Sequence, residues 1–283
     1  MAPLLPQLEH AYAALRESWA RSWKGLPAVV AGSVQWLCGT SSPDEAPLHA
    51  QRLAVLLACA RLVEQAGQLA QATATEPPYH NRLHIADTVV GMAALLRARR
   101  LGAPAQLLGQ PLATAEFRCL AAMLLHDYGH DGRVNDWPRQ IEQASVNSFE
   151  PHVAACGLSP KDWAAVRALI LETDPRFVSD VHTRAAACEP SSAGSELSFE
   201  AMAVLVVEAD VLASALKFPG EGLTLSLIQE WAPRYPQRAQ QLSVPQGRLG
   251  FLRFGARFSS PAAVLLGVHE QVERQIASLS PAP

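Results

Sequence analysis

Apolar residues return every three or four positions along most of this chain, and no run alternates convincingly with period two. That pattern predicts helices and no sheet. Glu9 to Trp23 carries such a stripe. After the polar segment Ser41 to Pro47, Leu48 to Ala72 forms a long amphipathic stretch rich in Ala, Leu and Gln, all good helix formers. Pro77-Pro78 stops any helix there. A new helix is expected from about His80 to Arg100, ended by Gly102 and Pro104. Thr114 as N-cap, with Glu116 in the first turn, opens a helix to Leu125. Gly129 and Gly132 then break the pattern. Further helices are expected over Arg139 to Glu150, Lys161 to Glu172 (entered through Ser159-Pro160), Ser198 to Leu216, Leu223 to Tyr235, Phe251 to Phe258 and Pro261 to Leu279. The segment from Ala185 to Glu196, containing Pro190-Ser191-Ser192-Ala193-Gly194-Ser195, reads as a mobile loop. The expected architecture is all-α, a compact multi-helix bundle. Residues 1–75 form an N-terminal helical cap and residues 76–283 the main domain, in one continuous unit with no internal repeat.

Composition narrows the class. Of 283 residues, 49% are hydrophobic and 17% charged, enough apolar material to bury a sizeable core. A net charge of −3 gives no electrostatic reason to expect nucleic acid or an anionic membrane as partner. The five cysteines, Cys38, Cys59, Cys119, Cys156 and Cys188, are odd in number and lack a Cys-x-x-Cys pair. They read as small core residues in a reducing compartment. Met1 to Pro6 lacks the basic-then-apolar pattern of a secretory signal, and the apolar run from Leu53 to Ala60 is too short to span a bilayer. A cytoplasmic location is the expectation.

The chemistry is concentrated between Tyr79 and Asp136. Four of the nine histidines lie there in two clusters, His80-Asn81-Arg82-Leu83-His84 and His126-Asp127-Tyr128-Gly129-His130. His80 and His84 share a face if both are helical, and Asp87 continues it. Asp210 interrupts the apolar run from Ala203 to Leu212, where a charge is costly unless it meets a cation; that cation is either a metal or an arginine. Asp174, before Pro175, is a helix-end cap or a site residue. Singly, each histidine pair or acid is more often a packing or capping feature than a ligand. Together, His84, His126, Asp127 and Asp210 make the two-His, two-Asp donor set of a hydrolytic metal site.

With those residues in this order, the chain resembles the HD superfamily of metal-dependent phosphohydrolases, and within it the class I cyclic nucleotide phosphodiesterases. Their His-Asn-x-x-His motif is similar to His80 through His84. Their His-Asp-x-x-His-x-Gly-x-x-Asn motif matches His126 through Asn135 at every fixed position, and Thr173-Asp174 and Ala209-Asp210 match two shorter pieces. The resemblance covers Tyr79 to about Phe251 and implies a catalytic domain over residues 76–283. It implies two divalent metal ions, zinc with magnesium or manganese, the first held by His84, His126, Asp127 and Asp210, with Asp127 bridging to the second. His130, Asn135, Glu142 and Asp174 would lie around these ions. Hydroxide between the metals would attack the phosphorus of a small-molecule 3′,5′-cyclic nucleotide, cAMP or cGMP, and release the 5′-monophosphate. His80 would protonate the departing sugar oxygen, oriented by Glu230. At the position where the family carries a base-reading glutamine this chain has Arg248, with Gln246 two residues earlier and Phe251 available to stack on a base. Arg248 offers donors only, so it favours a guanine-type acceptor edge or an extra phosphate, or else it is a solvated surface side chain. The alternatives are an HD phosphohydrolase of another nucleotide or phosphate ester, and a non-catalytic nucleotide sensor. The N-terminal residues cap the domain or make a homodimer contact.

Overall fold

A computed structural model describes residues 3–39, 47–103, 107–188 and 196–280. Among the described residues there are fourteen α-helices and no strand. The first three are α1 (Leu4–Arg21), α2 (Leu26–Cys38) and α3 (Pro47–Ala72). They pack with α4 (Arg82–Gly102) and α5 (Thr114–Leu125). The chain continues through α6 (Gln140–Phe149), α7 (Pro160–Ile170), α8 (Val178–Ala187) and α9 (Phe199–Ala215). It finishes with α10 (Lys217–Trp231), α11 (Pro236–Leu242), α12 (Pro245–Gly250), a π turn over Phe251–Gly255, α13 (Pro261–Leu266) and α14 (Val268–Leu279). Most of the linker from Ser41 and the loop Pro190 to Ser195 fall outside the described residues.

Helix α4 is the axis of the bundle. It is buried on every side by α1, α2, α5, α9 and α13. A helix in that position needs apolar residues all round, as Ile85, Ala86, Val89, Met92, Leu95 and Leu96 provide. Its buried arginines and Asp87 are matched by opposite charges. Arg82 at its start donates to Glu64 and Gln71 at 2.7 Å each and to Glu76 at 2.8 Å. Arg16 of α1 holds Asp87 with two bonds of 2.8 and 2.7 Å. Arg100 at its end meets Glu116 of α5 at 2.5 Å. One hydrophobic core runs from Leu4 to Val272, so residues 1–75 are walls of the same core that surrounds α4.

Several boundaries differ from the sequence pattern for local reasons. Helix α2 carries apolar residues round its whole circumference and shows no polar face to mark it. Helix α4 begins at Arg82, because the Asn81 side chain accepts from the backbone of Leu83 and His84 and acts as its N-cap. Thr114 is already inside α5. Ala113 is the cap position, and Glu116 reaches back to its amide at 3.0 Å. Part of the segment from Ala185 closes α8. The helix expected over Pro261 to Leu279 is split at Gly267, whose φ of 79° is left-handed. Helix α3 is long and apolar enough by composition to cross a membrane, which the short run from Leu53 to Ala60 alone does not suggest. Here its stripe of Val55, Leu56, Cys59, Ala60 and Val63 faces the core, with the buried Glu64 beside it.

Candidate metal centre and catalytic residues

Four side chains from three helices converge. His84 comes from the first turn of α4, and Asp210 from the middle of α9. His126 caps the end of α5 and Asp127 follows it into an irregular turn. That turn needs Gly129 and Gly132, both at φ near 76–77°. Asp127 Oδ2 lies 3.2 Å from His84 Nε2 and 3.1 Å from His126 Nε2. Asp210 Oδ1 lies 3.4 and 3.3 Å from the same two nitrogens. The donors of His84, His126 and Asp210 fall within 4.8 Å of one another.

These residues fit a divalent cation. Donors spaced 3.1–3.4 Å apart can surround one ion bound at about 2.0–2.2 Å. His126 Nε2 and Asp127 Oδ2 are buried and aligned for no hydrogen bond, and so is His84 Nδ1. The His126 ring is fixed from behind, since its Nδ1 lies 2.9 Å from the carbonyl of Met123. A proton on Nδ1 leaves the Nε2 lone pair facing the acids, as metal-binding imidazoles require. Burial works against a charged imidazole, yet Asp127 and Asp210 outweigh it. They lift His84 to about 9 and hold His126 well above its ordinary value. Burial likewise works against the two acids, but His126 above all holds both below the usual carboxylate range. The negative field that does this is the field that attracts a metal ion.

Beside this group stands a second one. His80 lies just before the Asn81 cap, outside the helix, so it does not share a helical face with His84 as the i, i+4 spacing suggested. Its Nδ1 is 2.5 Å from Glu230 Oε1, while the backbone N–H groups of Tyr79 and His80 donate to Glu230 Oε2 at 2.8 and 3.0 Å. Burial opposes ionisation of Glu230, but the His80 bond brings its acid below the usual value. His130 stacks on His80 with centroids 3.8 Å apart. Its Nδ1 accepts from Gly132 N–H at 3.0 Å, which leaves the proton of the neutral ring on Nε2. Burial and the neighbouring His80 push it down to about 4.

The remaining residues singled out from the sequence are placed as follows. Asn135 donates to both oxygens of Glu142 at 3.1 and 3.0 Å and accepts from Ile141 N–H at 2.7 Å. Burial raises Glu142 to about 7. Asp174 is fully buried and accepts from the backbone N–H of Arg139 at 2.7 Å and of Arg176 at 3.0 Å. It fixes the entry to α6, the helix that carries Glu142. Asp87 is drawn to Arg16 and away from the ligand group. Gln246 is exposed and Phe251 half-buried. Arg248 is not a solvated side chain. It donates to Ser214 O at 2.5 Å, Leu216 O at 3.1 Å and Gln275 Oε1 at 2.8 Å, so it closes the carbonyl end of α9. Its guanidinium also lies over the Phe251 ring.

Two residues near the centre escaped the sequence reading. Tyr79 tilts its ring against His84 at 4.7 Å and bonds Ser214 of α9 through its hydroxyl at 3.0 Å. Arg16 sits behind Asp87, 71 positions away in sequence, with no local signal to join them.

No family model matches the chain, and no curated protein matches it. Solved structures do. The Leishmania phosphodiesterase LmjPDEB1, solved in complex with IBMX, superposes with a TM-score of 0.63 at 16% identity, covering 97% of this chain and 96% of that one. The phosphodiesterase domain of a RhoPDE fusion protein from the choanoflagellate Salpingoeca rosetta gives 0.55 at 14% identity, covering 93% and 96%. A second structure, of the phosphodiesterase domain of the Salpingoeca rosetta rhodopsin phosphodiesterase, gives 0.57 at 16%, covering 84% and 88%. Across nearly its whole length, this chain has the all-α fold of phosphodiesterase domains.

Proposed function

We propose that the chain is a metal-dependent phosphodiesterase that opens a 3′,5′-cyclic nucleotide to its 5′-monophosphate. The observation that carries this is the convergence of His84, His126, Asp127 and Asp210 next to a histidine locked to a buried carboxylate. Divalent cations held by His84, His126, Asp127 and Asp210 would neutralise charge on the phosphate and activate a water for attack on phosphorus. The protein's own groups do the rest. Breaking the bond between phosphorus and the 3′ oxygen leaves an alkoxide that needs a proton. His80 supplies it from Nε2, because Glu230 holds Nδ1 and the two Glu230-bound backbone amides fix the ring. His130, neutral and stacked on His80, keeps that ring in plane without competing for the proton. Asn135 and Glu142 tie the segment that follows the Asp127 turn to the start of α6.

Arg248 bears on the base. Its donors are engaged by the end of α9 and by Gln275, so this side chain does not discriminate adenine from guanine. The same observation favours a second reading, hydrolysis of another nucleotide or phosphate ester by the same centre. The test is turnover by the purified chain supplied with zinc and with magnesium or manganese, on cAMP, cGMP and a panel of other nucleotides and phosphate esters. Both cyclic nucleotides should yield 5′-monophosphate. Failure on both, with metal bound and another ester cleaved, would transfer the function to the second reading.

A further inference from the structure

The N-terminal helix carries no motif of the site, yet it reaches the two helices that present His84 and Asp210. Asp87 lies three residues after His84 on the same face of α4 and is fully buried. Such a carboxylate requires a cation at close range, and Arg16 of α1 provides it in the bidentate geometry that fixes both groups. Burial pushes the Asp87 acid up, and Arg16 and the nearby His84 pull it back. The ion pair thus ties to α1 the part of α4 one turn beyond His84.

The same helix also touches the crossing of α4 with α9. A Cβ at Gly91 of α4 would lie 2.8 Å from Tyr12 Oη, 3.3 Å from Leu212 Cδ2 and 3.4 Å from Ala209 O. Gly91 thus lets three helices meet in one notch, beside the residue that precedes Asp210. Tyr12 is fully buried there, and Arg16 donates to its carbonyl at 3.1 Å. Arg16 and Tyr12, one turn apart on α1, therefore brace α4 at Asp87 and at Gly91.

We propose that α1 is a working part of the metal centre, with Arg16 as a positioning residue that, through Asp87, holds the first turns of α4 from which His84 projects. The proposal rests on the reading of His84, His126, Asp127 and Asp210 as metal ligands. Its test is zinc affinity of the full chain, stripped of metal and titrated in competition with a chromophoric chelator, well below the unfolding temperature. Arg16→Ala leaves Asp87 buried and uncompensated and can fail to fold. Arg16→Lys and the double variant Arg16→Ala with Asp87→Asn avoid that. With helicity by circular dichroism unchanged, the double variant should bind zinc about tenfold more weakly, the lower end of the scale for residues outside the ligand shell of a metal site, and Arg16→Lys should recover part of it. Unaltered zinc affinity in both folded variants would overturn the proposal and leave α1 a role in stability alone. If the unsubstituted chain itself bound no zinc, the ligand reading would fail, and the proposal with it.

Discussion

His80 sits two residues before the first helical residue of α4, and that offset decides what it can do. Inside the helix it would lie under His84 and face the ligand group. Outside it, the ring turns to Glu230 and stacks on His130, which suits proton delivery. Replacing His80 by Ala should slow turnover roughly 100-fold or more and leave bound metal unchanged in an elemental assay. An unchanged rate would remove His80 from the chemistry. The offset was half legible in the sequence. The spacing of His80 and His84 suggested a shared helical face, while the Asn81 that caps the helix stands between them and is a residue type that prefers that position. Arg248 shows the opposite case. Its donor-only chemistry was readable, but its partners, the last carbonyls of α9, lie more than thirty positions away and leave no trace in local pattern.

At the level of elements, α4 is held at three points by buried ion pairs, with Glu64, Arg16 and Glu116. The first two lie near the ligand group. The third lies at the far end of α4, where Arg100 also donates to the carbonyls of Gln110 and Pro111. Removing the acid from that pair with Glu116→Ala strands a guanidinium that is only 2% exposed. Stability should fall by about 3–5 kcal/mol in denaturant unfolding, with metal content in the folded fraction unaffected. A loss of metal without a loss of stability would mean that the two ends of α4 are not separable in this way. The apolar stripe of α7 was plain from periodicity, with its cap Ser159 also readable, and α9 showed as one long apolar run. Helix α2 was not, because its exposed side, Ala28, Gly32 and Gln35, carries a single polar side chain and so sets no phase. Neither was the break at Gly267, since the apolar spacing continues through it.

For the molecule as a whole, the grouping of His84, His126, Asp127 and Asp210 could be read from the order of His-Asn-x-x-His, His-Asp and Ala-Asp, since the fold brings the end of α5 and α9 to the start of α4. The packing of α1 against Asp87 and Gly91 could not, since it depends on how the N-terminal helices lie over α4. The central claim is that two imidazoles and two carboxylates from distant segments hold a divalent ion. It is tested most directly by the metal content of the purified chain after exhaustive dialysis, measured beside Asp127→Ala at matched helicity. Stoichiometric divalent metal in the unsubstituted chain and none in the variant is the predicted result. Equal metal in the two, or none in either after loading with zinc, would contradict it.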